Sequence, residues 1–170
     1  SRINYEAKTE YNVTISVTDG NGSTALNIVV PVQDVNDNAP VITTGNSVNV
    51  QHGTSTSTVI YRAESEDLDT VHTLPGVPND GSTYVQYSLA PDLDFADFTF
   101  TNGELRFLNS PDVDAPADGN GDNIYEVNVR AFDGTHTTTQ LVKIQVQGAG
   151  VTWIGDGGGP TPTADNHTGT

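Results

Sequence analysis

Asp34-Val35-Asn36-Asp37-Asn38-Ala39-Pro40 is the stretch on which the reading of this 170-residue chain turns. Carboxylates and amides crowd together there, and a proline closes the run. A strand-like segment ending at Val32-Gln33 precedes it, and Val41-Ile42 begins another. Hard cations such as calcium take six to eight oxygen ligands from carboxylates, amide carbonyls and backbone carbonyls. Along an extended strand, alternate side chains point to opposite sides, so Asp34 and Asn36 can face one way and Asp37 the other. Pro40 fixes its own φ and pushes the residues before it toward extended geometry. The stretch therefore reads as a straight linker with oxygen ligands on more than one side.

Outward from the linker, the chain alternates rather than following a helical period. Tyr11, Val13, Ile15 and Val17 fall on one face of a candidate strand. Asp19-Gly20-Asn21-Gly22 is a turn, and Ala25–Val32 is the return strand. Two strands cannot hold a core alone. Beyond Pro40, candidate strands are Ser47–Gln51, Thr58–Ala63, Tyr84–Leu89, Asp97–Thr101, Glu104–Leu108, Ile124–Phe132 and Thr138–Gln147. About seven strands is the number expected of a Greek-key sandwich. Asn102-Gly103 marks a tight hairpin. The expected core is Val59, Tyr61, Tyr87, Leu89, Phe98, Phe100, Leu105, Phe107, Tyr125, Val127, Val129, Leu141, Ile144 and Val146. The segment Tyr11–Gly20 also aligns with Tyr125–Gly134, position by position, which is an internal repeat.

Composition narrows the function. A net charge of -16 argues against nucleic acid and anionic membrane surfaces as partners and favours cations. There is no cysteine, hence no disulfide framework. No apolar run approaches a membrane span, so no membrane insertion is expected. None of the four histidines sits in a nucleophile or metal motif, and there is no Gly-x-Ser-x-Gly run or phosphate-binding loop, so an enzyme is the least expected reading.

The linker resembles the inter-repeat linker of the cadherin superfamily. Ile3-Asn4-Tyr5-Glu6 resembles that family's Leu-Asp-x-Glu motif, and Thr18-Asp19-Gly20 resembles its Ala-x-Asp-Gly turn. The run from Tyr87 through Pro111–Val127 to Ala131-Phe132-Asp133-Gly134 is similar to the cadherin repeats of bacterial surface proteins. The resemblance implies an all-β chain: residues 1–39 as the C-terminal part of one repeat with a calcium linker, and residues 40–148 as a complete seven-stranded Greek-key sandwich. Residues 149–170 read as a Gly/Pro/Thr-rich linker or tail.

The same resemblance implies a calcium site. Glu6 matches the acid of Leu-Asp-x-Glu; Asp34, Asn36, Asp37 and Asn38 match the linker. Asp67 and Asp69 match the family's Asp-x-Asp pair, although normal spacing from Ala63 points to Ser65 and Asp67; two carboxylates bind calcium better than one. Asp133 matches the turn acid, and Asn79 is a weaker carbonyl candidate. Asn4 stands where the motif has Asp, and the family's early Glu lies outside the chain, so ions on the first repeat's side look weakened. At least one calcium is expected from Asn36, Asn38, Asp67, Asp69 and Asp133. At the far end, Asp112-Val113-Asp114 replaces the Leu-Asp-x-Glu motif and no second linker follows Val146. Asp118-Gly119-Asn120-Gly121-Asp122-Asn123 resembles half of an EF-hand loop, but Val129 stands where the closing Glu belongs, and the segment reads as a polar connecting loop.

The implied function is an extracellular, calcium-stiffened module for adhesion or rigid spacing. Its partners would be other cadherin-like repeats, a cell-surface protein or a glycan. Two alternatives are a carbohydrate-binding module and a filament subunit, a homo-polymer built by strand complementation with Val151–Ile154 as donor.

Overall fold

The computed structural model describes residues 2–71, 74, 76, 77 and 83–148. Asn79 and Val151–Ile154 lie outside them. The described chain is nearly all β. The first unit is a hairpin of β1 (Glu10–Thr18) and β2 (Ser23–Pro31), paired antiparallel with Ile15 opposite Leu26 and Val13 opposite Ile28. Its turn is closed by Asp19, whose Oδ1 accepts the Asn21 and Gly22 amides at 2.9 Å each, while Gly20 takes φ +91, which a glycine reaches at little cost.

The second unit begins with β3 (Val41–Ile42) and β4 (Ser47–Gln51), followed by β5 (Tyr61–Arg62), β6 (Ser65–Glu66) and β7 (Gln86–Leu89). A single 3-10 turn, Phe95–Asp97, leads into β8 (Phe98–Thr101) and β9 (Glu104–Phe107); β10 (Ile124–Phe132) and β11 (Thr137–Gln147) complete it. One sheet has the order β4-β11-β10-β7, the other β5-β9-β8, and β3 pairs with β6. β4 runs parallel to β11, and the remaining pairs are antiparallel. The β8–β9 hairpin turns at Asn102-Gly103, with φ of +51 and +79, as the Asn-Gly pair predicts.

The segment expected as a strand over Thr58–Ala63 meets the strand geometry only at Tyr61–Arg62, because Ser55–Thr58 forms a turn (Thr58 N to Ser55 O, 3.0 Å). Its ladder nonetheless continues on both sides: the Ile60 amide donates to the Leu105 carbonyl at 2.9 Å and the Ala63 amide to the Gly103 carbonyl at 2.8 Å.

The core lies between the two sheets. Leu105 and Phe107 of β9, Tyr125, Val127, Val129 and Ala131 of β10, and Val142, Ile144 and Val146 of β11 are all buried. Each large side chain removed from water in this way contributes about 1.5–3 kcal/mol. Phe98, Phe107 and Tyr125 meet with centroids 4.8–5.7 Å apart, and Tyr125 stands edge-on to both phenylalanines. Two expected core positions are corrected. Leu141 is 39% exposed and Val142 is buried in its place, since the period of two that buries Ile144 and Val146 selects Val142. Ile60 is buried, whereas Val59 is only half-buried.

β10 and β11 set the two poles of this sandwich. At one end Phe132 pairs with Thr137 across the turn that holds Asp133; at the other, Ile124 pairs with Gln145. The linker meets the Asp133 end.

Candidate metal centre

The linker is extended and alternates in exposure: Asp37 faces solvent, Asn36 and Asn38 are half-buried, and Pro40 is buried against the sandwich. Asn38 anchors it. Its backbone amide donates to Asp69 Oδ2 and its side-chain amide to Asp69 Oδ1, both at 2.7 Å. Asp69 is only 3% exposed, so the two bonds satisfy a carboxylate that water scarcely reaches. Asp34 sits beside it. Asp34 Oδ2 accepts the Thr70 amide at 2.9 Å and the Thr70 hydroxyl at 2.5 Å. Glu6, Asp34 and Asp69 bring carboxylate oxygens within 4.8 Å of one another, which joins the first unit, the linker and the second unit at one point.

A further group lies around Asp133, which is 1% exposed. Its Oδ1 accepts the Thr135 and His136 amides at 2.6 Å, the geometry of a tight Asp-Gly turn. Its Oδ2 is buried without a hydrogen bond and lies 3.5 Å from His136 Nδ1. That ring nitrogen is also 3.1 Å from Asn36 Oδ1, so His136 bridges the turn and the linker. Asp67 Oδ1 accepts the Asp69 amide at 3.1 Å. Burial pushes the Asp67 carboxyl above the usual range, and the charges of Asp133 and Asp69 push it the same way. Asp67 therefore belongs to the same electrostatic cluster.

The residues expected as ligands fall into place unevenly. Glu6, Asp34 and Asp69 converge; Asp67, Asp133 and Asn36 gather beside them; Asn38 holds Asp69. Asp37 is exposed and its carboxylate meets only the Asn38 side-chain amide, at 3.1 Å, among the described residues. Ser65, the alternative to Asp69, lies 2.7 Å from the Tyr87 hydroxyl instead. Asn4 is spent locally, its Oδ1 accepting the Ala7 amide at 2.7 Å. Two participants carry no signal in the sequence. Thr70 is a neutral donor to Asp34, and His136 belongs to no motif but follows Asp133 by one turn.

The donor set suits a hard divalent cation. It is built from oxygen, and two of its oxygens, Asp34 Oδ1 and Asp133 Oδ2, are buried without a hydrogen bond. Among the described residues, no lysine or arginine forms an ion pair with any of these carboxylates. An open groove of about 580 Å³ on the outer face of β7, β10 and β11 is different in kind: Gln86, Tyr87, Ser88, Arg130, Phe132, Thr137 and Thr139 line it, without a carboxylate or histidine.

Comparison with known proteins agrees with this architecture. Over 86% of the chain, the structure matches protocadherin gamma C5 EC1-3 with a TM-score of 0.60 and 24% identity, covering 46% of that chain. It matches human protocadherin-24 EC1-2 over 88% of the chain and 70% of that one, with a TM-score of 0.62 and 23% identity. The fold is that of the cadherin repeat. In sequence, the chain is 40% identical over 72 residues to protein dachsous of Drosophila melanogaster, which is 40% of this chain and 2% of that protein. It is 28% identical over 151 residues to protocadherin-16 of Rattus norvegicus, 85% of this chain and 4% of that protein. The chain thus spans only a few per cent of the length of these cadherin-repeat relatives. No protein-family model matches it. Among the described residues, no helix is long and apolar enough to cross a membrane.

Proposed function

We propose that this chain is part of an extracellular cadherin-like array in which calcium at the Asp34–Asn38 linker fixes one repeat against the next, for adhesion or rigid spacing. The observation that carries the reading is a pair of buried carboxylate oxygens without hydrogen bonds: one on Asp34, whose carboxylate converges with those of Glu6 and Asp69, and one on Asp133, whose charge acts on Asp67. Two like charges about 4 Å apart near a protein surface repel by about 4 kcal/mol. A divalent ion reverses that term and gives the orphaned oxygens a partner. Asp34 and Glu6 would bring the first unit to the ion, and Asp67, Asp69 and Asp133 the second; Asn36 and Asn38 would add amide or backbone oxygen.

Isothermal calorimetry with calcium chloride tests this. The chain should take up at least one equivalent of calcium. Asp69→Ala and Asp133→Ala should each weaken binding tenfold or more, because each removes a buried charged ligand. Absence of calcium uptake by the unaltered chain contradicts the proposal.

A further inference from the structure

We infer that the loop Asp118–Asn123 is a second hard-cation site, at the opposite pole of the repeat from the linker, of a size and donor set suited to calcium. The loop presents oxygen donors at alternate positions, Asp118, Asn120 and Asp122, the spacing by which an EF-hand loop begins around calcium. Spacing alone decides nothing. The decisive feature is Asp118, which is 6% exposed and whose Oδ1 has no hydrogen-bond partner. Its geminal Oδ2 accepts the Asp122 amide at 2.8 Å, which holds the carboxylate over its own loop. Asn123 Oδ1, an acceptor on the same loop, is buried and unpartnered as well. Leaving a buried acceptor unmatched is costly, and most of all for a charged one.

The surroundings add negative charge. Asp94 grips the loop from outside, accepting the Gly119 amide at 2.9 Å and the Glu126 amide at 2.8 Å. Asp97 is pushed above the usual carboxylate range by burial first, then by the charges of Asp94 and Asp118. Lys143 forms its ion pair with Glu126 at 2.6 Å, and the charge of Asp122 acts on it more weakly. The Asn123 carbonyl is used by the Val146 amide at 2.9 Å, and its side-chain nitrogen donates to the Val113 carbonyl at 3.1 Å, which leaves Oδ1 as the free acceptor. Asp118 Oδ1 and Asn123 Oδ1, with water, can supply the ion, joined by the Asp122 carboxylate, which already accepts the Ile124 amide at 2.8 Å and the Asn120 side-chain amide at 3.0 Å. Without a closing Glu, since position 129 is Val, affinity should fall in the weak range of about 0.1–1 mM typical of extracellular modules. Such an ion would stiffen the pole where β11 leaves the sandwich, where no Asp-x-Asn-Asp-Asn linker follows.

Amide NMR on the whole chain separates this site from the linker. Calcium chloride up to about 10 mM should shift the Gly119 and Gly121 amides saturably, beyond the effect of sodium chloride at equal ionic strength. Asp118→Asn should abolish that shift and leave the calcium response of the Asn38 and Thr70 amides unchanged; Asp122→Asn serves as a second variant if the first folds poorly. The inference is overturned if the glycine amides do not move, move equally in sodium chloride, or still respond to calcium in the variants. A linker that fails to bind calcium leaves the test intact, since it is read on different amides.

Discussion

At the scale of single residues, the cluster around Asp69 concentrates negative charge where water is scarce, and Asp67 reports it. Its carboxyl is held above the usual range by burial, then by Asp133 and Asp69. A carboxyl raised in the fold favours the folded state below its unfolded pKa, near 3.9, and that contribution is lost as pH rises through the folded value. In chelator, therefore, Asp67→Asn should raise the melting temperature relative to the parent at pH 7, and the gap should narrow toward pH 4. A gap that does not vary with pH contradicts the cluster. In calcium the order at pH 7 should reverse, because the anion becomes a ligand. Part of this cluster is legible in the sequence: the oxygen-rich linker and the turn acid Asp133 stand at recognisable spacings, whereas Asp69 is preferred to Ser65 on ligand chemistry and against the spacing from Ala63. Thr70 and His136 are not legible, because they reach the cluster through tertiary approach: Thr70 bonds to Asp34, 36 residues away, and His136 to Asn36, 100 residues away. The orphaned oxygen on Asp118 is equally invisible in one dimension, since burial decides it and not residue type.

At the scale of elements, the internal repeat offers a comparison within one molecule. β1 aligns with β10, so Tyr11, Val13, Ile15 and Val17 correspond to Tyr125, Val127, Val129 and Ala131. The second set is at most 2% exposed, covered by the β5-β9-β8 sheet, whereas Val13, Ile15 and Val17 are 45%, 46% and 67% exposed. Equivalent sequence thus has different energetic weight in the two units. Ile144→Ala, in β11, should cost about 2–5 kcal/mol in urea unfolding, while Ile28→Ala, in β2, should cost less than about 1 kcal/mol. Similar costs would show that β1 and β2 are covered in solution. Alternation predicts β10 and the Asn102-Gly103 hairpin, because a period of two and a turn needing positive φ are both local properties. The phase of β11 is harder to read: Leu141 and Val142 are adjacent and both apolar, and it is the period of two set by Ile144 and Val146 that turns Val142, paired with Val127, to the interior. The short pair β3–β6 escapes the sequence because two-residue strands have no period.

At the scale of the whole molecule, among the described residues the first unit and linker meet the second through polar and charged side chains. Asp34 to Thr70, Asn38 to Asp69 and Asn36 to His136 are direct bonds; Glu6 meets Asp34 and Asp69 as like charge. Such a junction should be weak without a cation and firm with one, and ligand binding to the native state alone raises stability by about 2.7 kcal/mol at a hundredfold excess over the dissociation constant. Thermal unfolding in calcium and in chelator, on the chain and on Asp67→Ala/Asp133→Ala, tests this most directly. The account predicts that calcium raises the melting temperature of the chain by several degrees and that the double variant loses most of this gain. Equal melting temperatures in calcium and chelator, or a gain that survives in the double variant, would contradict it.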